Sequence, residues 1–184
     1  MAKKALIILA EGFEEIEAVT PVDLLRRAGI EVTAAGLGST TVKGAHGIHI
    51  GADMTLDAAG GDFDAIICPG GMPGTTNLMA SDMVISRVRA VFESGKLCAA
   101  ICAAPMVLDK AGVLKNKRYT CYPGTEKRIQ SGTWIEKDVV RDGSVITARA
   151  PGAAIAFSLE IIDALLSSGA GRRIAEAIVF KNIG

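Results

Sequence analysis

The chain has 184 residues and a formal charge of zero, 20 Lys and Arg against 20 Asp and Glu. That length suits one domain, 1–184, with a substantial core, and the charge balance leaves no excess for direct nucleic-acid binding. The apolar run before Glu11 is too short for a signal peptide, and the longest apolar stretch, Leu97 to Leu108, falls short of the roughly 20 residues of a membrane span. The expectation is a soluble, cytoplasmic protein.

Taken in chain order, Ala5-Leu6-Ile7-Ile8-Leu9-Ala10 follows two lysines as a continuous apolar run, the pattern of a strand covered on both faces. Glu11-Gly12-Phe13 supplies a turn. Glu14 to Ala28 then places Ile16, Val19, Val22, Leu24 and Leu25 at mostly helical spacing, with Gly29 as the stop. Ile30 to Ala35 reads as a second strand, which makes a βαβ unit with parallel pairing and a right-handed crossover. Gly38 to Thr55, rich in Gly, Ser and Thr, reads as a small hairpin excursion. Asp64 to Cys68 is another buried strand, and Pro69-Gly70-Gly71-Met72-Pro73-Gly74 follows its carboxyl end. Thr75 to Met79 and Asp82 to Ser94 read as helices, the second with Val84, Ile85, Val88, Val91 and Phe92 on one stripe.

After Gly95 an apolar strand runs to Cys102, where Ala103-Ala104-Pro105 starts a helix. Arg118 to Tyr122 reads as a strand, as do Trp134 to Val140 and Ser144 to Ala148, joined by a turn at Arg141-Asp142-Gly143. Helices from about Ala153 to Leu166 and from Ala170 to Phe180 close the chain. Strands alternating with helices imply a mostly parallel sheet between helical layers, with ligands gathered at the carboxyl ends of the strands.

Cys102 is the residue of greatest chemical interest. A side chain on a strand-to-helix bend projects toward solvent, and the free N–H groups of the helix start favour an anion such as a thiolate. The ordinary alternative is that a free cysteine serves as a small hydrophobe. Cys68, Cys98, Cys102 and Cys121 lack the density of a disulfide scaffold, so free thiols are expected. His46 and His49 have no accompanying ligand pair, so no zinc site is expected.

Three loops leave the same edge of the sheet: Glu11 to Glu17, Pro69 to Gly74 and Cys102 to Pro105. Glu17, flanked by apolar Ile16 and Ala18, would have its pKa raised by burial and by a neighbouring thiolate, and could stay protonated to donate a hydrogen bond to sulfur. On local sequence, Glu14, Glu15 and Glu17 also suit the helix dipole and nothing more. Gly70-Gly71 offers backbone N–H groups for an oxyanion hole. Gly-Gly-x-x-Gly is neither a P-loop nor a dinucleotide fingerprint. With aromatics at 4%, a flavin site is not expected and no cofactor is called for.

Glu14-Glu15-Ile16-Glu17, Pro69-Gly70-Gly71, Ala99-Ala100-Ile101-Cys102-Ala103-Ala104-Pro105 and Arg149-Ala150-Pro151-Gly152, in this order, resemble the ThiJ/PfpI superfamily, in particular its subgroup of the parkinsonism-associated deglycase. The resemblance implies a flavodoxin-like α/β/α sandwich, usually a homodimer. It implies Cys102 as nucleophile and oxidation-sensitive thiol, Glu17 as its protonated partner, and Gly71 and Ala103 as oxyanion donors, with Gly70, Tyr122 and Pro151 lining the substrate site. The implied activity is glyoxalase III-type conversion of methylglyoxal to lactate, or deglycation of early adducts on proteins and nucleotides. Three features depart from the pattern. Tyr122 stands where the subgroup often has a histidine, Ala103 where the protease-like branch has one, and Ala150 where a glycine is usual before Pro151-Gly152. An alternative role follows from the same cysteine: an oxidative-stress sensor or chaperone-like protein in which Cys102 is oxidised to sulfinate.

Overall fold

A computed structural model describes residues 2–181. The first βαβ unit forms as its pattern dictates: β1 (Lys4–Leu9), α1 (Glu15–Arg27) and β2 (Glu31–Gly36), with β1 and β2 parallel from Lys4↔Glu31 to Leu9↔Gly36. A hairpin follows, β3 (Thr41–Lys43) paired with β4 (His49–Gly51), and then β5 (Met54–Thr55). β6 (Ala65–Cys68), α2 (Gly74–Ala80), α3 (Asp82–Glu93), β7 (Leu97–Ile101) and α4 (Pro105–Lys110) carry the chain past Cys102. β8 (Arg118–Tyr119), β9 (Thr133–Trp134), β10 (Val139–Asp142), β11 (Val145–Ala148), α5 (Ala154–Leu165) and α6 (Ala170–Ala177) complete it.

Seven strands form the main sheet in the order β10-β11-β7-β6-β1-β2-β5, parallel except for β10. Side chains alternate across it. Ala5, Ile7, Leu9, Ile67, Ala99 and Ile101 face α1 and α5 on one side, while Leu6, Ile8, Ile66, Cys68, Cys98 and Ala100 face α2, α3 and α4 on the other. Both faces are dry, which is why these strands read as unbroken apolar runs; each fully buried Leu or Ile contributes roughly 1.5–3 kcal/mol. The result is the expected flavodoxin-like three-layer sandwich.

Four local expectations need correction. β8 covers only Arg118–Tyr119 and pairs with β9 outside the main sheet, because Thr120 N–H turns to Thr147 Oγ1 (2.9 Å) and its hydroxyl to the Lys137 carbonyl (2.8 Å). Trp134 to Val140 is not one strand, since Trp134 ends β9 and β10 begins at Val139. The β10–β11 turn falls on Gly143-Ser144, with Gly143 at φ 63, where a two-residue hairpin loop needs positive φ. Finally, α1 does not bury the apolar stripe through Ile16 and Val19, which stay 55% and 45% exposed. It buries Glu15, Glu17, Ala18 and Pro21 in their place, and of that stripe keeps Leu24 and Leu25 buried.

Candidate active site

The carboxyl edges of β1, β6 and β7 come together as the topology requires, and backbone bonds lock their loops to one another. Glu14 N–H donates to the Gly70 carbonyl (2.9 Å), Gly74 N–H to the Gly12 carbonyl (3.1 Å), and Asn77 Nδ2 to the Glu11 carbonyl (2.9 Å). Gly71, at φ 87, lies so close to the first loop that a Cβ there would collide with Glu14 N. No residue with a side chain fits that position.

Cys102 immediately follows β7 and adopts φ 62. A left-handed conformation at a non-glycine residue costs of order 1 kcal/mol and persists only where surrounding structure holds it. Here its N–H donates to the Ala148 carbonyl (2.9 Å) and its carbonyl accepts from Tyr122 N–H (2.9 Å), fixing the bend on both sides. Ala104 and Pro105 are buried beneath it, and Pro105 opens α4 as expected. Cys102 is partly exposed, whereas Cys68, Cys98 and Cys121 are buried, and all four thiols are free.

Glu17 is fully buried, one turn into α1. Its Oε2 accepts the Gly70 N–H (2.8 Å), and the carboxyl lies beside the Cys102 thiol, close enough for each to shift the other's titration, while Oε1 has no partner among the described residues. Burial pushes the carboxyl up to about 7, opposed by the Gly70 and Cys102 hydrogen bonds and supported by the charge of Glu14. Gly70 fills the space between the pair: a Cβ there would lie 2.7 Å from Glu17 Oε2 and 2.8 Å from Cys102 Cβ.

The thiol itself departs from the expected depressed pKa. Burial pushes Cys102 up to about 12, the Glu17 charge and hydrogen bond push it further the same way, and only the Gly71 and Ala103 N–H groups pull it down. Both groups are thus pushed toward their protonated forms, and because each acts on the other their titrations are coupled. With the proton on Glu17, the carboxyl ceases to repel sulfur and becomes its donor, and the orphaned Oε1 no longer carries buried charge.

The structure therefore brings together Cys102, Glu17, Gly70, Gly71 and Ala103. Gly70 cannot act as an oxyanion donor, because its N–H is engaged by Glu17; Gly71 and Ala103 N–H face the sulfur. Tyr122 adjoins through its backbone, with a side chain 50% exposed, and Pro151 opens a 3₁₀ turn just beyond β11, the strand beside β7.

Glu15 has a part that its local sequence did not reveal. Its carboxylate accepts His46 N–H (2.8 Å) and lies 2.9 Å from His46 Nδ1, which binds the β3–β4 loop to the start of α1. Burial opposes its ionisation, but the His46 side-chain and backbone hydrogen bonds hold its pKa below the ordinary value, and the same contact raises His46. Gly44 packs directly on that carboxylate. A carboxylate between Glu14 and Ile16 offered no local sign of a partner 31 residues away.

The family model for the DJ-1/PfpI family matches residues 3–164. The chain is 40% identical over 183 residues to protein dj-1beta of Drosophila melanogaster, covering 97% of this chain and 98% of that one. It is 33% identical over 165 residues to deglycase PH1704 of Pyrococcus horikoshii, covering 88% and 99%. The crystal structure of Drosophila melanogaster DJ-1beta superposes with a TM-score of 0.94 at 39% identity, over 99% of this chain and 100% of that one. Matched by the family model over most of its length and by a relative at 40% identity along nearly the whole of both chains, this chain belongs to the DJ-1/PfpI family.

Proposed function

We propose that this chain is a cofactor-independent cysteine enzyme acting on small reactive aldehydes or on the glycated adducts they form. The observation that carries the reading is the fully buried Glu17 carboxyl, bound to Gly70 N–H and set beside the Cys102 thiol at the sheet edge. A relative named as a deglycase supports the same reading.

With methylglyoxal, the Cys102 thiolate adds to the aldehyde carbon, and the oxyanion, held by Gly71 and Ala103 N–H, takes the Glu17 proton to give a hemithioacetal. The Glu17 carboxylate then removes the proton from that carbon to give an enediolate and returns it to the neighbouring carbon, while the hydroxyl proton of the hemithioacetal passes to the former ketone oxygen. One carbon is oxidised to a thioester and its neighbour reduced to a carbinol, so no external oxidant or reductant enters. Water hydrolyses the thioester to lactate and restores the thiol. Among the described residues Glu17 is the only buried carboxyl at the sulfur, and no histidine follows His49, so the shuttle falls to it.

In a steady-state assay of lactate formation from methylglyoxal, Cys102→Ser and Glu17→Gln should each lower kcat by at least about 100-fold. Turnover that survives Cys102→Ser would overturn the proposal.

A second reading rests on Cys102 being the one partly exposed thiol of the four. Oxidised to sulfinate, it would be held by the same N–H groups and by protonated Glu17, as in an oxidative-stress sensor or chaperone-like protein. Ready peroxide oxidation without Cys102-dependent turnover would favour it. A homodimer is part of the proposal, supported by Ile16, Val19 and Ile48, which are about half exposed on α1 and next to β4. A cytoplasmic setting is also part of it, in keeping with four free thiols; no described helix is long and apolar enough to cross a membrane.

A further inference from the structure

The far end of α4, away from Cys102, borders an open groove of about 630 Å³ between α2 and the loop after Arg128. That volume lies within the range of small-molecule sites. Three cations line it, Lys110, Lys115 and Arg128, with Met79 and Met106 contributing apolar wall. Among the described residues none of the three meets a carboxylate, unlike Lys117 and Arg118, which pair with Asp142.

The one acid in the groove is already engaged. Asp109 Oδ2 accepts Gln130 N–H (2.9 Å), and Oδ1 accepts the N–H and hydroxyl of Ser131. Asp109 thus fixes the loop that follows Arg128. Lys110 Nζ donates to the Met79 carbonyl (2.8 Å), tying α4 to α2 while leaving two of its three donors free. The carbonyls of the last turn of α4 are also satisfied, by Ala111, Gly112 and Val113 N–H. Three cations without a carboxylate partner thus face one groove, beside a soft thioether surface suited to an aromatic ring.

We propose that this groove binds a nucleoside diphosphate, with the phosphates on Lys110, Lys115 and Arg128 and the base against Met79. The site is separate from the cysteine chemistry and does not depend on it.

The test is calorimetric titration of the full chain with ADP, inorganic pyrophosphate and adenosine at near-physiological salt. ADP should saturate at one per chain, pyrophosphate should bind more weakly, and adenosine should not bind over the same range. Lys115→Ala combined with Arg128→Ala should weaken ADP at least about tenfold, and Cys102→Ser should leave it unchanged. Amide shifts induced by ADP in the unmodified protein should map to residues 110–115 and 128–131, a readout free of any effect of substitution on folding. Absent or non-saturating ADP binding, affinity unchanged in the double variant, or shifts centred on Cys102 would overturn the proposal. Pyrophosphate binding as tightly as ADP would overturn the assignment of a nucleoside.

Discussion

Glu17 is where the physics of this protein is most exposed to measurement. A carboxyl with an ordinary pKa of 4.5 that titrates near 7 in the folded chain binds more protons folded than unfolded between those two values. Its contribution therefore favours the fold below about 4.5 and is progressively lost as pH rises through about 7. Replacing it with Gln removes that penalty and keeps the side-chain oxygen that accepts Gly70 N–H. Glu17→Gln should accordingly raise Tm relative to the parent at pH 8 and give little or no gain at pH 4, as thermal unfolding at the two pH values would reveal. An equal gain at both would show that the carboxyl is not carrying buried charge. The position of Glu17 was partly legible: it lies four residues before Pro21, seven before Leu24 and eight before Leu25, all on the buried face of α1. Apolar Ile16 and Val19, which face outward, drew the stripe to the wrong side.

At the level of elements, three strand ends and the loops that leave them make the site, and Gly70 is the piece they share. Any side chain at position 70 must displace Glu17, Cys102 or the Ile101 carbonyl, all within 2.8 Å of where its Cβ would sit. Gly70→Ala should cost about 1–3 kcal/mol of stability and abolish the coupling between carboxyl and thiol, visible as loss of methylglyoxal turnover in a variant whose circular dichroism is unchanged. Full activity in Gly70→Ala would contradict the close packing. The buried strands could be read directly because both faces of the sheet are covered. The short strands could not, because side chains hold them. Asp53 Oδ2 accepts Ala34 N–H (2.7 Å) and Arg26 NH2 (2.7 Å) just before β5, and Thr147 and Lys137 take the bonds of Thr120 that would have continued β8. Such long-range side-chain bonds leave no local periodicity to detect.

For the molecule as a whole, the order of strands follows from alternation and the right-handed crossover, and the mostly parallel sheet delivers the cysteine to its carboxyl edge. What local pattern could not supply is the outward apolar surface of α1 with Ile48 beside β4, since a helix with apolar residues on two sides does not announce which side is the core. If that surface closes a homodimer, Ile16→Lys combined with Val19→Lys should convert the species seen by sedimentation to a monomer at micromolar concentration, because two charges would enter a self-complementary apolar patch. A dimer unaffected by both charges would place the interface elsewhere.

The central claim is that Cys102 and Glu17 titrate as a coupled pair. The most direct measurement is the pH dependence of Cys102 alkylation by iodoacetamide in the parent and in Glu17→Gln, followed by mass spectrometry at that residue. The pair predicts a rise in rate with an inflection near the Glu17 value of about 7, as the doubly protonated form gives up its first proton, and the loss of that inflection in Glu17→Gln. The same inflection in both proteins, or none near 7 in the parent, would contradict it.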